Sequence, residues 1–479
     1  MLSKEQFIQL FKQEITHNLT IGQEEAIRAI THFLYRREPL QLFVLKGYAG
    51  TGKTTLISAL VRTFHKLQKQ TVLLAPTGRA AKVFANYSGF KALTLHKQLY
   101  NITHDEEGTH ISLKHNKHKY TLFIVDEVSM IATTNSTDNW SNRDILEDLI
   151  TYVFECEGNK LLFIGDEAQL PPVFEDESPA LNIDYLRSAF SLHIDSYELT
   201  DVVRQNQDSG ILFNATILRS KIAQADFNLP LFYIGFADFH RLSSIDFEDK
   251  LNELYTQQDP ENTVIITRSN KRANIFNQQI RNRILFRDSE IASGDFLMIV
   301  KNNYYWVEKS SNIGFLANGE LIEVLAVRKY EEMYGFHFAD LSIRLCDYPN
   351  FPEMEIKVIL ETLHSQGAAL DSIQQRQLYN EVSKDYEEIA EKHIRTLKMR
   401  TNPYLNAVQI KFAYALTGHK TQGGQWTNTC IDINYFSDEQ LNKETFRWLY
   451  TAITRTTGNV YLIDFPDIFF TEDPTKAFL

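Results

Sequence analysis

The sequence predicts an α/β fold in which parallel sheets are covered by helices, with a β-rich module inserted late in the chain. Three observations predict it. Over the first ~200 residues short apolar runs alternate with amphipathic stretches, the pattern of a parallel sheet wrapped by helices. A glycine-rich turn, GYAGTGKT at 47–54, sits between the apolar run LFVL and the helical stretch TLISALVRTFHKL. Between 295 and 360 four strand-like runs follow one another with no helix between them.

The length of 479 residues corresponds to roughly three domains. Apolar residues make up 43% and charged residues 23%, which excludes wholesale disorder. Forty-nine basic against 61 acidic residues give a net charge of −12. That balance argues against nonspecific basic coating of nucleic acid but leaves room for a local basic groove. No apolar run approaches the ~20 residues of a membrane span. Leu2, Phe7, Leu10, Phe11 and Ile15 space like one helix face, and the N-terminus reads as that helix rather than a secretory signal. Cys156, Cys346 and Cys430 stand far apart, which excludes a clustered zinc site and suits a reducing cytoplasm.

The expected strands of the first sheet are 42–45, 71–75, 122–125 and 161–164, each apolar throughout and so buried on both faces. The runs from 295 to 360 predict a small antiparallel unit. Val382, Tyr386, Ile389, His393 and Leu397 then recur at helical spacing, with Glu388 to Lys392 and Glu391 to Arg395 as i,i+4 pairs. After Pro403 the α/β pattern resumes in NAVQIKFAYAL and GNVYLIDF. The simplest organisation is a first domain over 1–195, with an insertion at 98–120, and a second over 196–320 plus 404–479. The latter is interrupted by a module over 321–403.

Residues 47–54 have the strand–loop–helix setting of a phosphate-binding loop. Gly47, Tyr48, Ala49, Gly50, Thr51 and Gly52 would wrap a phosphate in backbone N–H groups, at the positive end of the helix that follows. Lys53 would place a point charge on the β/γ-phosphates, Thr54 would offer a hydroxyl to Mg²⁺, and Thr55 is counted with them as nucleotide-binding. Asp126 and Glu127 end the strand LFIV. There one carboxylate suits a metal and the second suits a water-activating base. Gln169, in GDEAQLPP, either senses a terminal phosphate or belongs to a polar loop stiffened by prolines. Arg204 and Arg455 either neutralise a transferring phosphoryl group or form surface ion pairs.

In order along the chain, GYAGTGKT, LAPTGRAA, VDEVSM, GDEAQLPPV, VVRQ, TRSN, YALTGHKTQGGQ and YTAITR resemble the motifs of superfamily 1 DNA helicases, most nearly the RecD, Dda and Pif branch. The resemblance runs from about residue 20 to 456. It implies two RecA-like motor domains with ATP and Mg²⁺ between them, and travel on single-stranded DNA 5′ to 3′. It also implies single/double-strand junctions as substrates, and recombination or replication proteins as partners. It gives Gln23 the reading of adenine, Gln169 the coupling to the γ-phosphate, and Arg204 and Arg455 the arginine fingers.

The same resemblance places Thr77, Gly78 and Arg79, then Thr94 and His96, then His419, Lys420, Thr421 and Gln422 against the DNA strand. Small donors with a few cations suit phosphates and stacked bases without sequence readout. For His96 and His419 the alternative is a satisfied buried histidine. Residues 100–120 lie where relatives carry a duplex-separating hairpin. Here the turn at 105–108 is acidic and no aromatic wedge is evident. His104, His110, His115 and His118 read as solvated side chains rather than metal ligands. The β unit and helical arm take the place of an SH3-like insertion with a tower. Gln425 carries no assigned role. Other readings are an RNA helicase, a subunit of a recombination nuclease, and a small-molecule kinase. DNA-stimulated ATP turnover separates them.

Overall fold

The computed structural model describes residues 2–105, 108–133, 143–201, 208–256, 260–307, 313, 315–346, 348, 350–367, 369–434 and 441–478, with backbone alone at 102–105, 108–110, 392 and 478. The first domain is built on six parallel strands in the spatial order Ala92–Thr94, Thr71–Ala75, Leu122–Val125, Lys160–Gly165, Gln41–Gly47, His193–Leu199. Strand pleating sends alternate side chains to opposite faces. Phe43, Leu45, Ile124 and Leu162 enter one core with Phe7, Phe11, Phe33 and Leu60, whereas Leu42, Val44, Phe123 and Phe163 enter the other with Leu149 and Val153. Two-sided burial is why these strands read as unbroken apolar runs. Each such side chain contributes roughly 1.5–3 kcal/mol of transfer free energy.

Helix starts are set by local side chains. Ser3 with Gln6 caps Lys4–Gln13, and Thr20 with Gln23 caps Ile21–Tyr35, both as reciprocal boxes. Phe7 and Phe11 face the core from the first of these helices, as their spacing predicts.

The second domain carries five parallel strands in the order Phe239–Leu242, Thr456–Ile463, Trp426–Asp432, Thr263–Thr267, Ala415–Thr417. The fold is therefore α/β with two parallel sheets. An antiparallel hairpin, Tyr100–Asp105 with Gly108–Leu113, rises from the first domain, paired from Tyr100 opposite Leu113. Residues 106 and 107 and the side chains of His104 and His110 lie outside the description.

The inserted module departs from the expected boundaries of 321–403. A closed barrel forms from Phe296–Ile299, Leu321–Met333, Phe336–Leu345, Met354–Ile359 and Val408–Phe412. Its first and last strands lie outside that range, and Leu297 pairs with Phe412 to close it. All five residues of VQIKF are buried. A run buried on every side gives no sign of whether it joins a sheet or a barrel. The single expected helix through Val382 and Leu397 is two helices, Ser372–Lys384 and Lys392–Arg400. Glu391 occupies the N-cap of the second, so Glu388 and Lys392 do not share a helix.

Candidate active site

Residues of both domains line a cleft of about 730 Å³. The strand Gln41–Gly47 delivers the chain into it and the helix Lys53–Lys66 leaves it. Gly52, at the N-cap of that helix, has φ of 82°, a conformation that side chains disfavour, which is the physical need for glycine there. Tyr48, Ala49, Gly50, Gly52, Lys53, Thr54 and Thr55 all face the cleft. Lys53 Nζ donates to the Gly47 and Tyr48 carbonyls at 2.5 and 2.9 Å and lies 4.0 Å from Asp166 Oδ2. The ammonium is thus held over the loop by groups that a phosphate could replace. Thr51 is fully buried and its hydroxyl donates to the Tyr48 carbonyl at 2.8 Å.

Asp126 and Glu127 line the same cleft. Burial first, and the Glu127 carboxylate second, raise the pKa of Asp126 above the ordinary carboxylate range, while Lys53 and Arg455 oppose that shift. Glu127 holds φ of 52°, a strained conformation for a side chain of this size, and its N–H donates to Asp126 Oδ1 at 2.8 Å. Thr54 and Asp126 offer a hydroxyl and a carboxylate, the hard oxygen donors that Mg²⁺ takes.

From the second domain Arg455, 5% exposed, brings Nη1 to 3.6 Å from Glu127 Oε1. Its Nε is buried without a hydrogen-bond partner, and so is Gln169 Oε1 on the same cleft. A buried donor and a buried acceptor left open in one cleft fit a polar occupant. Arg204 lies outside the described residues. Gln23 is not on the cleft wall. Its Oε1 accepts from the Thr20 N–H at 3.2 Å and its Nε2 donates to the Thr51 carbonyl at 3.1 Å, so it braces the loop.

Of the residues expected at the strand, Thr77 and Arg79 meet the 423–426 segment of the second domain, at a junction where Ala80, Tyr87 and Gly423 also line the cleft. Thr77 caps the helix Gly78–Ser88, accepting from the Ala80 N–H at 3.2 Å. A Cβ on Gly423 would stand 3.2 Å from Thr77 Oγ1, so these two segments nearly touch. The Arg79 guanidinium lies 3.7 Å over the Trp426 ring and donates to the Gln425 carbonyl at 2.9 Å. Thr94 caps Leu95–Leu99, with the His96 ring 5.8 Å from that of Tyr100. Burial lowers the His419 pKa, with Glu444 opposing, and burial aided by Lys411 takes Lys420 to about 8. Thr421 is buried, and its hydroxyl donates to the Gly418 carbonyl at 2.7 Å. Gln422 Nε2 donates to the Leu170 carbonyl at 2.6 Å. One end of the 166–170 loop therefore meets Lys53 and the other meets Gln422.

Sequence reasoning missed three side chains at this seam. The Tyr450 hydroxyl joins Ala49 to Asp166, Trp426 stacks on Arg79, and Tyr87 donates to Gln425 Oε1 at 3.1 Å. The only sequence signal was the position of Tyr450 in YTAITR. His115 is exposed and bonded to Glu155 at 2.8 Å, and no metal-holding cluster of three or more His, Cys, Asp or Glu exists among the described residues. No helix among them is long and apolar enough to cross a membrane.

Residues 18–226 match the AAA domain family, and 412–463 match the UvrD-like helicase C-terminal domain. An uncharacterised protein of Acanthamoeba polyphaga mimivirus is 23% identical over 93% of this chain and 98% of its own length. The ATP-dependent RecD2 DNA helicase of Deinococcus radiodurans is 34% identical over 28% of this chain and 16% of its own length. The ATP-dependent DNA helicase Dda of phage T4 is 31% identical over 40% of each chain. The matches thus span less than half the length of either of these two relatives. A crystal structure of a Bacteroides Pif1 helicase aligns over 95% of this chain and 94% of its own at 18% identity, with a TM-score of 0.47.

Proposed function

The chain belongs to the RecD/Dda/Pif-like branch of the superfamily 1 helicases, ATP-hydrolysing enzymes that act on DNA, and from that premise we propose that it moves along single-stranded DNA 5′ to 3′ and separates duplex at junctions. The observation that carries the proposal is Arg455. A guanidinium from the second domain reaches the Glu127 carboxylate of the first across the cleft that holds Lys53. Charge developing on a transferred phosphoryl group in that cleft would be met from both domains at once.

In this reading Lys53 leaves the Gly47 and Tyr48 carbonyls for the β- and γ-phosphates. Glu127 orients a water and takes its proton. Gln169, through its open Oε1, accepts from that water and reports the terminal phosphate to the strand side. Thr54 and Asp126 would hold Mg²⁺, which when bound neutralises phosphate charge. Arg204 would act as a second finger beside Arg455. For Gln23 to read adenine, it would exchange its bond to the Thr51 carbonyl or the Thr20 N–H for the base. Thr77, Gly78, Arg79, Thr94, His96, His419, Lys420, Thr421 and Gln422 would grip the strand, the barrel and arm would take the SH3-like and tower places, and the hairpin would meet the duplex. ATP favours the closed arrangement and hydrolysis releases it, so the two domains grip the strand alternately.

Two measurements test this. Single-stranded DNA should raise the ATPase rate far more than RNA does. Duplex with a 5′ single-stranded overhang should unwind, and duplex with a 3′ overhang should not. Unwinding of the latter alone would overturn the polarity, and an ATPase indifferent to nucleic acid would overturn the function.

A further inference from the structure

Beside the strand-facing junction the first domain meets the barrel across a second cavity, of about 320 Å³. Its two walls differ in chemistry. Lys82, Lys91, Lys97 and Thr94 stand on the first-domain wall, and Phe315 and Glu320 stand on the barrel wall. Lys97 is the unusual member. Its Nζ is buried and has no hydrogen-bond partner. An ammonium carries three donors and no acceptor, so one that loses water without gaining an acceptor is destabilised.

The groups facing Lys97 do not resolve this. Burial first, then Lys91 and Lys114 as like charges, lower its pKa to about 8, and Glu320 alone opposes them. One oxygen of Glu320 already accepts from the Ala317 N–H at 2.9 Å. The Thr94 hydroxyl accepts from the Lys97 N–H at 3.2 Å and keeps its own proton to donate. Lys82 already donates to the Cys346 carbonyl at 2.7 Å, so among the described residues the unpartnered Lys97 ammonium, with Lys91 and the Thr94 hydroxyl beside it, makes the wall that suits an anion. The volume falls at the small end of ligand pockets, room for one nucleotide unit.

The position fits the strand path. Lys82 lies on the helix Gly78–Ser88, one turn beyond the Thr77, Gly78 and Arg79 start that meets Gly423. We infer that this cavity takes one nucleotide unit of the bound single strand, with its backbone phosphate on Lys97 Nζ and the Thr94 hydroxyl and its base toward Phe315. The inference rests on the function proposed above and adds a contact that the motif resemblance does not include.

The test is a salt titration of strand binding by the full chain, read by anisotropy of a labelled oligo(dT) without ATP. Each phosphate contact to a single strand contributes about 0.7 to the slope of log affinity against log salt. Lys97→Gln should make the slope shallower by about 0.7 and weaken binding about tenfold near 0.1 M salt. Lys97→Arg should keep the wild-type slope. Wild-type slope and affinity in Lys97→Gln would overturn the inference. If Lys97→Gln also lowers the melting temperature, Lys97→Arg decides: a restored slope supports the contact, and a slope as shallow as that of Lys97→Gln overturns it. A second arm titrates thymidine monophosphate. Binding of it that is lost in Lys97→Gln, with the strand slope unchanged, would assign the cavity to a free nucleotide and overturn the inference. A wild-type chain that binds no strand would instead fail the function proposed above, a separate and visible outcome.

Discussion

The Tyr450 hydroxyl donates to the Asp166 carboxylate at 2.6 Å, a contact between the two domains made wholly out of solvent. The same oxygen accepts from the Ala49 N–H at 2.8 Å. A second-domain side chain is thus wired into the phosphate-binding loop and into the carboxylate that stands 4.0 Å from Lys53. Two neighbours tighten the seam: the Leu170 N–H donates to Thr451 Oγ1 at 2.9 Å, and the Arg219 guanidinium lies 4.3 Å over the Tyr48 ring. Tyr450→Phe keeps the ring and removes the bridge. It leaves a buried carboxylate one donor short, which costs about 1–3 kcal/mol of stability. We expect ATP turnover to fall about tenfold, equivalent to ~1.4 kcal/mol in the barrier, with loss of stimulation by single-stranded DNA. Strand affinity without ATP should stay within about threefold of wild type. ATPase rates with and without DNA, beside an anisotropy titration, check all three.

Lys53→Ala removes the one ammonium on the loop. The Lys53 ammonium donates to the Gly47 and Tyr48 carbonyls, and the residues proposed above to grip the strand are other side chains. ATP turnover should fall by about 10²-fold or more, and strand binding should remain measurable. A variant that loses strand binding and turnover together would show that Lys53 supports the fold rather than the chemistry.

Much of this site is legible in the sequence because its chemistry is carried by contiguous segments. GYAGTGKT brings the loop, the lysine and the helix start in eight residues, and VDE fixes Asp126 and Glu127 to the end of a strand whose burial is plain from LFIV. Tyr450 is not legible in the same way. Its partner Ala49 stands 401 positions away, and no local pattern marks a tyrosine whose hydroxyl will be buried. The Trp426 ring under Arg79 is hidden for the same reason. In the fold, VQIKF is a strand by its apolar run, but only its pairing with 296–299 and 354–359 makes it part of the barrel. The arm is two helices, and in the turn between them the Tyr386 hydroxyl accepts from Asn402 at 3.0 Å, a contact that helical spacing does not show.

Glu127→Gln keeps the shape of the side chain and removes its basicity. The backbone at 127 is held at φ of 52° by the bond to Asp126, and the substitution leaves that N–H in place. ATP should still bind, since the loop contacts are intact, while turnover falls by about 10²- to 10⁴-fold. Binding of a labelled nucleotide beside single-turnover hydrolysis separates the two effects. Loss of nucleotide binding with loss of turnover would remove Glu127 from the role of base.

Strand binding should weaken as pH rises above about 8. Lys97 and Lys420 each titrate at about 8, both chiefly through burial, with Lys91 and Lys114 adding to the first and Lys411 to the second. A phosphate favours the charged form of each, so binding raises their pKa values and takes up protons wherever the free chain has released them. Near pH 7 both are already charged, so neither contributes a slope there. From about pH 8 upward log affinity should fall, with a slope that reports the number of protons taken up. In Lys97→Gln only the Lys420 share of that slope should remain. Calorimetric titrations at pH 8.5 in buffers of different ionisation enthalpy measure the uptake directly. An affinity that is level from pH 7 to 9.5 would show that neither ammonium meets a phosphate.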